Sequence, residues 1–251
     1  MNATRYLRAV APAVFMAGLI AQAPSAKAQD ATRKLADAAE LVEAFTANDD
    51  EAIPTDLLQR ARGIAVIPNV LRGGFILGGR RGRGVIVVRD ERGSWSNPAF
   101  VTLTGGSIGW QIGAESTDLV LVFANDNAVK NMASGKFTLG GDASAVAGPL
   151  GRHATMAVTF RAEVYGYVRS RGLFAGAAFQ GARLSIDDAM GQALYAGAAA
   201  PLGPQNEATP PSARRFLLVL EEASLSPQRT PAAADDAGDS REEAALFPLQ
   251  D

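Results

Sequence analysis

A chain of 251 residues, 47% hydrophobic and 20% charged, has enough apolar material to build one domain with appendages and is not disordered as a whole. It carries no cysteine and one histidine, His153. Disulfides, iron–sulfur clusters, thiolate nucleophiles, the common structural zinc sites and multi-histidine metal centres are thereby excluded. The formal charge is −2, but its distribution is uneven: between Arg60 and Arg183 there are 15 Lys+Arg and 7 Asp+Glu, a surplus of 8 positive charges, whereas residues 224–251 hold two arginines and six acids. A basic body favours anionic partners.

Arg5 and Arg8 precede an apolar stretch over residues 10–23, interrupted by Pro12. That run falls short of the roughly 20 residues a bilayer-spanning helix needs. Ala26-Lys27-Ala28 follows, with the small-x-small pattern of a signal-peptidase site. We expect residues 1–28 to be a cleaved secretory signal, residues 29–223 a domain, and residues 224–251 an acidic, flexible Pro/Ala/Asp-rich tail. The mature chain is then periplasmic or secreted, at most peripheral to a membrane, and its net charge falls to −5, because the signal removes Arg5, Arg8 and Lys27 and no acid.

The spacing of Leu35, Ala38, Ala39, Val42 and Phe45 predicts an amphipathic helix over residues 31–47, and Pro54 precedes a short helix through Leu57, Leu58 and Ala61. From Gly63 the period changes to that of strands. Residues 64–67 predict a buried strand stopped by Pro68; residues 75–77 and 85–88 predict two more, joined by a hairpin-like connection over 78–84. Glu91-Arg92-Gly93 is a turn. Strands follow over 99–103, 107–112 and 119–123, a helix over 128–133, and strands over 154–160, 163–169 and 174–184. Ser185 or Asp187 caps a helix running to about Tyr195, and Ser212 caps a last one over 214–223. Short strands with glycine turns, flanked by amphipathic helices at both ends, define an α+β fold: a strongly bent antiparallel sheet or partly closed barrel.

Few motifs carry chemistry. Gly105-Gly106-Ser107-Ile108-Gly109 matches G-x-S-x-G, but a nucleophile elbow needs a helix after the serine, and the residues that follow read as a strand. Any Ser–His–acid triad would have to draw on His153, which sits in a turn-like context beside Arg152. Asp142 in Gly140-Gly141-Asp142-Ala143-Ser144 is a single carboxylate, suited to a turn or cap rather than to a hard cation. P-loop and dinucleotide fingerprints are absent. No catalytic residue, metal ligand or cofactor is assigned. The segment 78–84 combines four glycines with Arg80, Arg81 and Arg83, and Arg72 lies close by in sequence. Guanidinium forks and exposed backbone amides suit phosphate groups, so these four arginines are the expected anion-binding residues, with Phe75, Ile76 or Leu77 as apolar neighbours. Nucleic acid is not the expected anion, for want of an aromatic–basic platform on a net-acidic chain.

Several blocks, taken in order, resemble the SYLF domain, also called the Ysc84-type lipid- and actin-binding domain. They are residues 54–68 with Gly73-Gly74-Phe75 and Gly84-Val85; Trp95-Ser96-Asn97-Pro98-Ala99-Phe100; Gly106-Ser107-Ile108-Gly109-Trp110-Gln111-Ile112-Gly113-Ala114 with Asp118; Gly141–Ser144 through Gly148-Pro149-Leu150-Gly151-Arg152; and Tyr165 onward with Arg171-Gly172-Leu173-Phe174-Ala175-Gly176. The resemblance covers roughly residues 31–223. It implies a non-enzymatic domain that binds anionic lipids, phosphoinositides among them, and in fungal members actin. For an exported chain without an SH3 or FYVE module, the expected partner is an anionic phospholipid of a bacterial envelope rather than actin; an envelope scaffold with a protein partner is the alternative. Acidic Asp37, Glu40 and Glu43 outnumber Arg33 and Lys34 in the first helix, which favours its packing onto the sheet over membrane insertion.

Overall fold

The computed structural model describes residues 25–47, 52–74, 77–108, 113–135, 137–151, 162–170, 173–174 and 181–225. Most of the expected leader and tail, the strand expected over 154–160, His153 and much of 174–184 lie outside the described residues.

Helix α1 (Ala26–Thr46) starts five residues earlier than its apolar spacing suggested, because Ser25 caps it: the Ser25 hydroxyl accepts from the Ala28 amide at 3.2 Å. All five stripe residues are buried, together with Ala31 and Leu41. The short α2 (Thr55–Arg60) follows Pro54. Among the described residues, nine strands form one sheet: β1 (Gly63–Gly74), β2 (Leu77–Val88), β3 (Ala99–Ile108), β4 (Gly113–Phe123), β5 (Phe137–Thr138), β6 (Ala145–Ala147), β7 (Val164–Ser170), β8 (Leu173–Phe174) and β9 (Arg183–Ile186). Their order is β5-β9-β3-β2-β1-β4-β7-β6, with β8 against β7. All pairs are antiparallel except β6 with β7. The sheet curls strongly into a half-barrel, and the fold is α+β as expected. Helix α3 (Asp126–Ala133) is capped by Asn125, α4 (Asp188–Tyr195) by Asp187, and α5 (Pro211–Leu225) begins at Pro211, so Ser212 is its second residue and not its cap.

Alternation along each strand splits the apolar residues into two layers. On one face Ile64, Val66, Val85, Val87, Phe100, Val120, Val122, Tyr165 and Tyr167 pack with α1, α2, α4 and α5. On the other, Ala65, Ile67, Val70, Ile86, Val101, Leu103, Leu119, Leu121, Phe123 and Leu184 pack with α3 and Phe137, whose ring lies 5.6 Å from that of Phe123. Each large side chain fully buried in these layers contributes roughly 1.5–3 kcal/mol.

Three strand expectations need correction. Pro68 does not stop β1; it sits in a bulge, where the pairing of β1 with β4 shifts between Ile67 and Val70. Asn69 takes the left-handed conformation there, at φ 54°, and its amide donates to Asp118 Oδ1 at 2.9 Å. A bulge leaves an unpaired residue, which accommodates the amide that proline lacks. Residues 78–84 are not a hairpin connection but the first half of β2, which runs unbroken against β3 from Leu77 to Ile86. Gly82 and Gly84, which suggested a turn, serve close approach instead. A Cβ on Gly84 would lie 2.1 Å from the Val66 carbonyl oxygen, and one on Gly82 would lie 2.8 Å from Ile67 Cγ2 and Val70 Cγ2. Likewise β3 is a single strand that ends at Ile108, where two shorter ones were expected.

Candidate functional site

Because register partners share a face, the pairings place each expected arginine. Arg72 lies opposite Arg80, and Arg81 opposite Leu71. Arg72 and Arg80 therefore share the Ile67/Val70 face, while Arg81 and Arg83 share the helix-bearing face. Sequence proximity did not gather the four arginines; strand alternation divided them in pairs. On the inner face Arg80 is half-buried, and its stem runs over Gly105, where a Cβ would come within 3.3 Å of Arg80 Cγ. Burial, and then the neighbouring Arg72 charge, lower the affinity of the Arg80 guanidinium for its proton. Two like charges side by side in that position do not make an open docking surface.

The helix-bearing face is different. Beyond the helices, one row crosses five strands through successive register partners: Arg183 of β9, Thr104 of β3, Arg81 of β2, Leu71 of β1 and Ser116 of β4. All five are exposed, and Leu71 is 60% accessible, an unusual value for a leucine inside a strand. The next row carries Ser185, Thr102 and Arg83. Arg83 is exposed and makes one long contact, Nη1 to Asp30 Oδ2 at 3.8 Å, with the first turns of α1; Asp30 also pairs with Arg33. With strands about 4.8 Å apart, Arg81 and Arg183 lie about 10 Å from each other along the row. Arg169, the register partner of Asp118, adds a half-buried cation on the same face of β7. The result is an open surface with three exposed guanidiniums, Arg81, Arg83 and Arg183, and an exposed leucine next to Arg81.

Arg183 and Arg169 were missed by sequence reasoning. Arg183 sits between the apolar Ala182 and Leu184, and Arg169 follows the buried Val168, so alternation marked both as facing away from the inner core. Only the register showed that β9 brings Arg183 level with Arg81.

The remaining candidates have structural duties. Ser107 lies inside β3 opposite Gly78, in a strand and not at a strand–helix elbow. Asp142 closes a turn, its Oδ2 accepting from the Thr138 amide at 2.6 Å. Among the described residues there is no group of three or more His, Asp or Glu side chains placed to hold a metal, and no helix is long and apolar enough to cross a membrane. The Trp-Ser-Asn-Pro block is a lock between distant segments. Asn97 is fully buried; its Nδ2 donates to the carbonyls of Ala200 and Pro204, and its Oδ1 accepts from Thr209 Oγ1 at 2.8 Å.

The described residues thus form a curled α+β sheet with exposed arginines on its helix-bearing face. Residues 104–223 match the family described as "Ysc84: Las17-binding protein actin regulator". It is 42% identical over 140 residues to LAS seventeen-binding protein 3 of Saccharomyces cerevisiae, covering 54% of this chain and 30% of the yeast protein. It is 41% identical over 140 residues to protein YSC84 of the same yeast, with the same coverage. Over 138 residues it is 39% identical to SH3 domain-containing YSC84-like protein 1 of Homo sapiens, covering 54% of this chain and 40% of the human one. The chain thus spans less than half the length of these relatives. No solved structure matches. The family's description is one of binding and regulation, not of catalysis.

Proposed function

We infer that this chain is an exported, non-enzymatic domain that binds anionic phospholipid surfaces through the row Arg183–Thr104–Arg81–Leu71, with Arg83 beside it. The observation that carries the reading is the open row itself: exposed cations two strands apart, uncovered by any described helix, with an exposed leucine beside Arg81. Each arginine held near an anionic bilayer adds about 1 kcal/mol, and a leucine entering the interface adds apolar burial. The leader-like residues 1–28 support an envelope setting, where phospholipid headgroups are the abundant phosphate ligand. The name of one yeast relative points to LAS seventeen as its partner; a chain outside the cytoplasm meets lipid instead.

Vesicle co-sedimentation tests this. The full chain is expected to pellet with phosphatidylglycerol-containing vesicles and not with pure phosphatidylcholine, and to release as salt rises, since screening shortens the reach of each charge. Arg81→Ser with Arg183→Ser should weaken binding roughly thirtyfold, from the loss of about 2 kcal/mol. Arg72→Ser, on the opposite face, should leave it unchanged. Equal binding to both vesicle types, or none to either, would refute the reading.

A further inference from the structure

At the far end of β2 from Arg81, a cleft of about 460 Å³ opens between the 89–95 turn and α5. Its walls hold three guanidiniums, Arg89, Arg92 and Arg214, against one carboxylate, Glu221. Trp95 lines it, with the Arg89 guanidinium 4.2 Å from the ring centroid. Leu218 and Leu225 stand on its rim at 66% and 65% exposure. Arg89 is tied to the body by Nη1 to the Gly93 carbonyl and Nη2 to the Leu58 carbonyl, both at 3.4 Å. Arg214 donates to the Glu207 carbonyl. Arg92 is exposed. The cleft therefore brings guanidiniums and apolar side chains together on both its walls.

The chain itself supplies a segment of matching chemistry. Leu225, on the rim, is followed by residues 226–251, whose two arginines and six acids give a charge of −4. Within them Glu242-Glu243 directly precede Ala244-Ala245-Leu246-Phe247-Pro248-Leu249, acid first and apolar after. Glu242 lies 17 residues beyond Leu225. A coil of that length has a root-mean-square span of about 23 Å, which covers the cleft and holds the segment there at an effective concentration on the order of millimolar.

We propose that residues 242–249 seat in this cleft of their own chain, with Glu242 and Glu243 against Arg92 and Arg214 and with Leu246 and Phe247 against Trp95, Leu218 and Leu225. The segment thereby acts as an intramolecular plug that any external acidic–apolar peptide must displace. The site is separate from the lipid-facing row, and the plug's fate does not depend on lipid binding.

The chain's lack of cysteine makes the test direct. In the full chain, Trp110→Phe leaves Trp95 as the sole indole, and Ala245→Cys takes a nitroxide, a contact-range quencher. At low salt, Trp95 emission is expected to drop at least twofold relative to the reduced, diamagnetic label, independently of protein concentration. Arg92→Glu with Arg214→Glu should abolish the quenching, and Glu242→Arg with Glu243→Arg in that background should restore it. In the unlabelled wild-type chain, trypsin should cut after Arg241 more slowly, relative to Arg229, than in the Arg92→Glu variant. Absent quenching, quenching indifferent to both charge reversals, quenching that grows with protein concentration, or unchanged tryptic ratios would each overturn the proposal.

Discussion

Tyr167 and Tyr195 are both buried, yet their hydroxyls have opposite fates. The Tyr195 hydroxyl donates to the Pro98 carbonyl at 2.7 Å, tying α4 to the start of β3. The Tyr167 hydroxyl is packed against Gly148, where a Cβ would sit 2.4 Å away, and among the described residues it has no hydrogen-bond partner. A buried polar group without a partner costs roughly 1–3 kcal/mol of desolvation, whereas a satisfied one adds about 1. Removing each oxygen should therefore change stability with opposite sign. Tyr167→Phe is expected to be neutral or to stabilise by about 1 kcal/mol, and Tyr195→Phe to destabilise by about 1–2 kcal/mol, because it leaves the Pro98 carbonyl without its donor. Urea titration of both variants reads this directly; two destabilisations of equal size would contradict it. Asn97 is the extreme case. Asn97→Ala strips partners from the Ala200 and Pro204 carbonyls and the Thr209 hydroxyl at once, and a loss of about 2–4 kcal/mol is expected. A loss under 1 kcal/mol would show that the lock is dispensable.

At the scale of the element, the β1 bulge explains both what could be read in the sequence and what could not. Helix α1, the 91–93 turn, α3, β7 and the Asp187 cap follow from local periodicity and capping chemistry, and each lies close to where those rules put it. The β1–β2 pair does not. Gly82 and Gly84 look like turn residues in one dimension because glycine permits turns; in three dimensions they are glycine because Ile67, Val70 and the Val66 carbonyl press against them. Nothing in the sequence of β2 names its neighbour. The same non-local fact decided the site: once 78–84 is a strand, period-2 alternation sends Arg81 and Arg83 to one face and Arg80 to the other, and only pairing with β9 adds Arg183. Gly84→Ala must push a methyl into a backbone carbonyl that cannot swing away, so its cost should meet or exceed the roughly 1–3 kcal/mol of ordinary overpacking. Gly79→Ala meets nothing within 4 Å and should cost less than about 1 kcal/mol. Thermal unfolding that ranks the two equally would remove close packing as the reason for the Gly-rich strand.

For the whole molecule, pH separates binding from folding. Burial pushes the phenol of Tyr167 above its ordinary range, with a further push from Tyr165, and burial does the same to Tyr195. The unfolded chain releases these protons from pH of about 10, while the native chain still holds them. The unfolded state then binds fewer protons than the native one, so stability falls as pH rises. It is at full strength below pH of about 10 and declines above it, by about 1.4 kcal/mol per pH unit for each tyrosine that stays protonated only in the folded state. Guanidiniums keep their charge across this range, so the arginine row itself has no reason to weaken between pH 6 and 9. Vesicle binding is thus expected to be flat over that interval and to collapse above pH 10 in step with loss of the fold, followed by circular dichroism. Tyr195→Phe should make the alkaline decline shallower while lowering stability at neutral pH. Binding lost well before unfolding would mean that some group other than the arginines grips the membrane.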